Sequence, residues 1–105
     1  MSGTFGEMGN LLKQAQQMQR ELDRAREELR GVRIEGSSGG GAVKVEIDGE
    51  GMIHKVVIRP DVVGDAKMLE DLVLAATRDG LTRANKLREE RLARVTGGLS
   101  LPGFL

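Results

Sequence analysis

The sequence predicts an α+β domain: a long N-terminal helix, a three-stranded antiparallel sheet and a long C-terminal helix. Three observations carry that expectation. Apolar residues recur at steps of three and four through residues 8–29. Short runs between positions 32 and 59 alternate apolar and charged residues. Helical spacing then returns from Leu69 to Val95. Helices on one face of a small antiparallel sheet make an α+β domain. At 105 residues, a single domain over 1–105 is expected. So short a chain buries a modest share of its surface, and association with further copies is a common remedy.

The first helix is expected over residues 8–29. Met8, Leu11, Ala15, Met18, Leu22, Ala25 and Leu29 follow the a/d pattern of a coiled-coil seam for about three heptads. Leu12 widens the stripe at one place. A stripe this narrow needs a partner helix, from the same chain or from a second copy, so Met8, Leu11, Ala15, Met18, Leu22 and Leu29 are the candidate dimer or helix-packing residues. Residues 1–6 are small and polar apart from Phe5 and are expected to fray. Gly31 suits the position just past the helix, where positive φ is free of a Cβ penalty.

Residues 32–35 alternate as a half-buried strand, which the run at 36–41 (Gly-Ser-Ser-Gly-Gly-Gly) breaks. Residues 42–48 put Val43, Val45 and Ile47 on one face and Lys44, Glu46 and Asp48 on the other. Asp48-Gly49 signals a hairpin. In the third strand, residues 52–59, His54, Val56 and Ile58 share one face, and Ile53, Lys55, Val57 and Arg59 the other. Pro60 ends it. The result is a meander with one apolar face.

Asp65 is the expected N-cap of the second helix, with Glu70 and Asp71 placed to suit its dipole. Leu69, Leu72, Val73, Ala76, Gly80, Ala84 and Leu87 fall at helical spacing, and the pattern continues through Leu92 and Val95. Gly80 costs about 1 kcal/mol relative to alanine in mid-helix. It marks either a close approach to a neighbouring element or a break into two helices. Residues 96–105 have no period and are expected to form a flexible tail.

Composition excludes more chemistry than it suggests. There is no cysteine, tryptophan or tyrosine, and one histidine, His54. A disulfide framework and a thiolate metal site are therefore absent, in keeping with a reducing compartment. No secretory signal or bilayer-spanning run is expected. The glycines at 39–41 precede a strand rather than a helix, unlike a phosphate-binding loop. No metal, cofactor, small-molecule substrate or catalytic residue is expected; an enzyme would need a carboxylate site drawn from Asp48, Glu50, His54 and Asp61.

Net charge is zero, with 16 basic and 16 acidic residues, but the charges are segregated. Asp61, Asp65, Glu70 and Asp71 outnumber Lys67 at the start of the second helix. Arg78, Arg83, Lys86, Arg88, Arg91 and Arg94 outnumber Asp79, Glu89 and Glu90 toward its end. On the first helix, Lys13, Gln17, Arg20 and Arg24 fall at i, i+4, i+7 and i+11 and form one ridge. Arg83, Lys86 and Arg94 form a similar ridge, interrupted by Glu90, with Arg88 and Arg91 beside it. Ridges of this kind can contact successive phosphates while reading little sequence. The nine residues Lys13, Gln17, Arg20, Arg24, Arg83, Lys86, Arg88, Arg91 and Arg94 are the candidate DNA-binding set. The competing reading is a dimeric protein-interaction scaffold whose charges serve only solubility.

Several stretches together resemble the YbaB/EbfC family of bacterial nucleoid-associated DNA-binding proteins. The run Asn10-Leu11-Leu12-Lys13-Gln14-Ala15-Gln16-Gln17-Met18-Gln19 resembles its opening helix, and Gly40-Gly41-Ala42-Val43-Lys44-Val45 its central strand. Pro60, then Met68-Leu69-Glu70-Asp71-Leu72-Val73 with Ala75-Ala76, resembles its second helix. Thr96-Gly97-Gly98-Leu99 with Leu101-Pro102-Gly103-Phe104 resembles its tail. The chain differs in carrying Gly80 where the family pattern more often has alanine, and in lacking excess positive charge. The resemblance implies a tweezer-shaped homodimer whose projecting helices grip double-stranded DNA. It also implies a cytoplasmic, nucleoid location, roles in nucleoid organisation and gene regulation, no cofactor and no membrane. Recombination and repair proteins are implied as further partners.

Overall fold

A computed structural model describes the backbone of residues 2–97 and the side chains of residues 6–97. The order is α1 (Ser2–Gly31), β1 (Arg33–Ser38), a short 3-10 turn at Gly39–Gly41, β2 (Val43–Asp48), β3 (Ile53–Ile58), a second 3-10 turn at Pro60–Val62 and α2 (Ala66–Val95). The strands form one antiparallel sheet in the order β1-β2-β3. The expected α+β class and element order are present.

The core lies between α2 and the sheet. Val43, Val45 and Ile47 of β2 are fully buried against Ala76 and Ala84 of α2, with Ile34, Leu69, Leu72, Val73 and Leu81 around them. Full burial of each large side chain contributes about 1.5–3 kcal/mol. α2 crosses β1 at an unusually close point. A Cβ on Gly36 would lie 2.5 Å from the Gly80 nitrogen and 2.7 Å from its Cα. Two glycines facing each other let helix and strand backbones touch. α2 therefore runs unbroken through Gly80, and of the two readings of that glycine the close approach is the one realised. Asp65 caps the helix by accepting from the Met68 N–H at 3.1 Å.

Several boundaries depart from expectation. α1 begins at Ser2, not residue 8, so the segment expected to fray is helical from Ser2. Each further residue adds one hydrogen bond to an existing helix, and the apolar pattern marks only where a helix is packed. Gly31 ends α1 without positive φ; the exit is made by the Val32 N–H donating to the Leu29 carbonyl at 3.2 Å. β1 runs on through Gly36, Ser37 and Ser38 instead of stopping before them. α2 supplies what holds that extension: Asp79 accepts from the Ser37 N–H at 3.0 Å, and the Ser38 hydroxyl donates to the Leu72 carbonyl at 2.6 Å.

The largest departure is β3. It was expected to share the apolar face of the meander, yet all six of its residues are exposed. The reason is coverage: α2 spans β1 and β2 and leaves β3 bare. Its register is also shifted by a bulge at Glu46/Ile47. Ile53, not His54, pairs with Ile47, so Ile53 joins Val56 and Ile58 on that face and His54 is the extra residue.

α1 and α2 form an antiparallel hairpin beyond the sheet. Leu29 is fully buried near the β2–β3 turn, where its carbonyl accepts from the Gly49 N–H at 2.8 Å. At the far end, Arg94 and Val95 of α2 line a groove with Glu21 and Ala25 of α1. From there α1 continues alone toward Ser2, for about 28 Å at 1.5 Å per residue. The molecule is accordingly elongated, 77 × 23 × 16 Å. The seam divides at this point. Leu22 and Leu29 are buried and Met18 is half-buried, while Met8, Leu11, Leu12 and Ala15 are exposed. Thr96 closes α2 with its hydroxyl on the Ala93 carbonyl, and Gly97 turns the chain at φ 65°. The rest of the expected tail lies outside the described residues.

Candidate nucleic-acid interface

The projecting part of α1 presents two opposed surfaces. At about 100° per residue, Lys13, Gln17, Arg20 and Arg24 cluster on the side of the helix opposite Met8, Leu11, Ala15 and Met18. All four ridge residues are exposed. Lys13 to Arg24 spans about 16 Å of helix, the rise of about five base pairs. Among residues 2–20 the only acid is Glu7, so the free arm is mildly basic although the chain is neutral. Gln17 is tied to Glu21 at 3.4 Å; among the described residues, Lys13, Arg20 and Arg24 form no ion pair.

The residues on α2 divide by place. Arg91 and Arg94 meet Arg24 at an open groove of about 400 Å³ between the helices, which Glu21 and Glu28 also line. Lys86 is exposed on the same half of α2. Arg83 lies back over the sheet, paired with Asp79 at 3.1 Å. Hydrogen bonds from the Ser37 N–H and then from Arg83 hold the Asp79 carboxyl below its usual range. Arg88 is half-buried and donates to the Asn85 side chain at 2.9 Å and to the Glu50 carbonyl. The structure thus brings Arg24, Arg91 and Arg94 together, pairs Arg83 with Asp79 at the surface and holds Arg88 half-buried against Asn85 and Glu50.

Of the four residues of the carboxylate alternative, Asp48, Glu50 and His54 gather at the β2–β3 turn and Asp61 stands apart. Asp61 pairs with Arg59 at 2.5 Å, away from the β2–β3 turn. Asp48 and His54 do meet, with His54 Nε2 2.8 Å from Asp48 Oδ2. Asp48 Oδ1 also accepts from the N–H groups of Glu50 and Met52 at 2.8 and 3.1 Å. Burial works to raise the Asp48 pKa; the His54 and backbone hydrogen bonds outweigh it and leave the carboxyl below its usual range. This arrangement pins a hairpin. No cluster of three potential metal ligands occurs among the described residues, and none of their helices is long and apolar enough to cross a membrane.

Sequence patterning missed two features. Asp48 shares the strand face of Lys44 and Glu46 by alternation and yet is buried; the Asp-Gly turn is the available signal, since such an aspartate accepts from N–H groups two residues on. It also missed the bare apolar surface of Ile53, Val56, Val57 and Ile58, which are 37–47% exposed. Beside the core, an open apolar groove of about 580 Å³ runs along α2 past Leu69, Val73 and Leu74.

Comparison with known proteins agrees with this architecture. The profile of the YbaB/EbfC DNA-binding family matches residues 5–99. A nucleoid-associated protein of Acetivibrio thermocellus is 43% identical, over 97% of this chain and 93% of its own. One from Ruminiclostridium cellulolyticum is 41% identical, over 97% and 91%. An uncharacterized protein from Helicobacter pylori, solved by crystallography, superposes with a TM-score of 0.76 at 24% identity, covering 89% of this chain and 97% of that one. That last likeness concerns the fold.

Proposed function

Because the chain belongs to the YbaB/EbfC DNA-binding family, we propose that it binds duplex DNA in the nucleoid as a homodimer, mainly through phosphate contacts. The observation that carries this reading is the lone α1 arm, with Lys13, Gln17, Arg20 and Arg24 turned away from its apolar seam. Two such arms would flank a duplex. Arg24, Arg91 and Arg94 at the base of each arm, and Lys86 nearby, would extend the contact toward the body. Each phosphate neutralised releases condensed counterions, which supplies affinity without base recognition. Sequence preference then comes from DNA shape and deformability. The functional consequence is nucleoid organisation, with effects on gene expression where the protein sits.

The bare surface of β3 supports the dimer. A six-residue apolar edge strand is normally blunted by charge, proline or cover, and here Lys55 is the only charged residue in it. Two copies meeting through Ile53, Val56, Val57 and Ile58 would bury what α2 leaves open. Glu21 and Glu28 in the inter-helix groove favour the second reading, a dimeric scaffold that docks another protein there, including one of recombination or repair. Gel shifts with random-sequence duplex at 50 and 200 mM salt, about a fourfold step over which phosphate-led affinity collapses, separate the two. Binding that weakens steeply supports the DNA reading. No binding at the lower salt, with capture of a nuclease-resistant protein partner, supports the scaffold.

A further inference from the structure

The seam of α1 outlasts its partner. α2 ends beside Glu21 and Ala25. Beyond that level Leu11, Leu12 and Met8 are 64, 62 and 56% exposed. We propose that this bare stretch pairs, antiparallel and seam to seam, with the same stretch of α1 in another copy of the chain.

The covered half of the stripe shows what it takes. From Leu22 to Leu29, α1 lies against the antiparallel helix α2. The flanks of the bare half suit a copy of itself. Charges beside an a/d seam decide which helices pair. Beside this part of the seam stand Leu12, Gln14 and Gln19, and the only charged residues from 8 to 20, Lys13 and Arg20, lie on the far side of the helix. Two copies therefore meet with no like charges opposed at the contact. Ala15 in mid-stripe allows close approach, and Met8 and Met18 adapt to the surface they meet. The antiparallel sense follows from bulk. It puts the two sheet-bearing bodies at opposite ends, and each arm takes up the line that the other copy's α2 leaves. Met8 of one copy then lies level with Met18 of the other.

The contact is small. Residues 8–18 span about 15 Å of helix, and one face of that length buries far less than the roughly 1,200 Å² of the smaller stable interfaces. Arm pairing is therefore weak, additional to the subunit contact proposed at β3, and acts where copies are held close together. Its consequence rests on the DNA reading. Each ridge lies opposite its seam, so two arms joined at their seams turn their ridges outward, toward two different duplexes. Protein bound by those ridges would bridge them. The pairing itself needs no DNA.

A spin label tests it, since the chain has no cysteine of its own. Gln19→Cys, at an exposed flank of the stripe, is labelled, and these isotope-free chains are mixed with unlabelled, isotope-enriched ones in the absence of DNA. At about 1 mM chain, amides of residues 6–10 are expected to lose most of their intensity, more than those of 16–20 or 88–95. The loss is expected to fade on dilution to about 0.05 mM and to vanish when both samples carry Leu11→Gln/Leu12→Gln. Both positions are exposed and glutamine matches leucine in helix propensity, so the variant keeps its fold, which circular dichroism checks. No loss at the higher concentration, or a loss that survives the double substitution, overturns the pairing and leaves the stripe to a different protein or another part of the chain. A loss strongest at 16–20 overturns the antiparallel sense. Bridging is read by capture of a free labelled duplex on an immobilised one. It is expected with wild type and lost in the double variant, whose gel shift is unchanged; bridging that survives there removes the seam as the link. Failed gel shifts with the amide losses intact would sink the DNA reading and leave the pairing standing.

Discussion

Replacing Gly36 with alanine places a methyl group where the backbone of α2 already lies. The nearest atoms are the Ala76 carbonyl oxygen, the Gly80 nitrogen at 2.5 Å and the Gly80 Cα at 2.7 Å. None is the tip of a side chain that can turn aside. Gly36 does not have positive φ, so the effect is steric and not conformational. Restoring ordinary separation moves α2 off the sheet by about 1 Å, a gap that forfeits a quarter to a half of each dispersion contact it opens. The contacts at risk are those of Val43, Val45 and Ile47 with Ala76 and Ala84, the whole central core. The expected cost is about 3 kcal/mol, the upper end for overpacking. Gly80→Ala differs. Its Cβ meets the Cδ1 of Ile47, which can rotate, and lies 3.3 Å from the Gly36 backbone. It also gains about 1 kcal/mol of helix propensity, so the net expected cost is about 0–2 kcal/mol. Urea unfolding at one fixed protein concentration measures both, which holds any effect of association on apparent stability constant. A loss below about 1 kcal/mol for Gly36→Ala, or a larger loss for Gly80→Ala than for Gly36→Ala, refutes the close-approach argument.

Two further outcomes follow from the hairpin and from the bare strand. Asp48→Asn is expected to destabilise by about 1–3 kcal/mol at pH 7, through loss of a buried charge-assisted acceptor. Because the folded pKa of Asp48 lies below 3.8, the stability it confers is present above that pH and lost as pH falls through the folded value. The gap between the urea midpoints of wild type and variant should therefore narrow as pH falls below 3.8 and close only beneath the folded value; a gap that does not narrow counts against the assignment. Val56→Lys/Ile58→Lys puts charge on surface that is already exposed in one copy, so folding by circular dichroism is expected to survive while sedimentation shifts from dimer to monomer. A variant that remains dimeric moves the subunit contact elsewhere.

The parts of the fold that follow from local rules were legible in the residues. The a/d steps of α1, the alternation of Val43, Val45 and Ile47 and the Asp65 cap each specify their element without distant information. β3 was not legible in the same way. Its residues have strand character on either reading, and only the path of α2 over β1 and β2 decides that they stay uncovered. The single-residue bulge at His54 reversed the expected facing of Ile53, since one extra residue shifts the alternation. Gly80 illustrates the same limit: the position was suspect by propensity, but its purpose depends on Gly36, more than forty residues earlier in the chain. For the candidate interface, periodicity identified the α1 ridge and its opposition to the seam. Two of the partners of Arg83 and Arg88 were within its reach, Asp79 four residues before Arg83 and Asn85 three before Arg88; only the Glu50 carbonyl that Arg88 also meets is set by tertiary packing.

If the α1 arms hold DNA by phosphate contacts, they are responsible for the salt dependence of binding. Affinity for a random-sequence duplex is measured across a salt series for wild type and for Lys13→Ala/Arg20→Ala/Arg24→Ala, with dimer content checked for both. Each phosphate contact contributes about 0.9 to the slope of log K against log salt, so removing three ridge residues from each of two arms should reduce its magnitude by up to about 5. A clear reduction with the dimer intact is the predicted result. An unchanged slope with unchanged affinity takes the arms out of the interface.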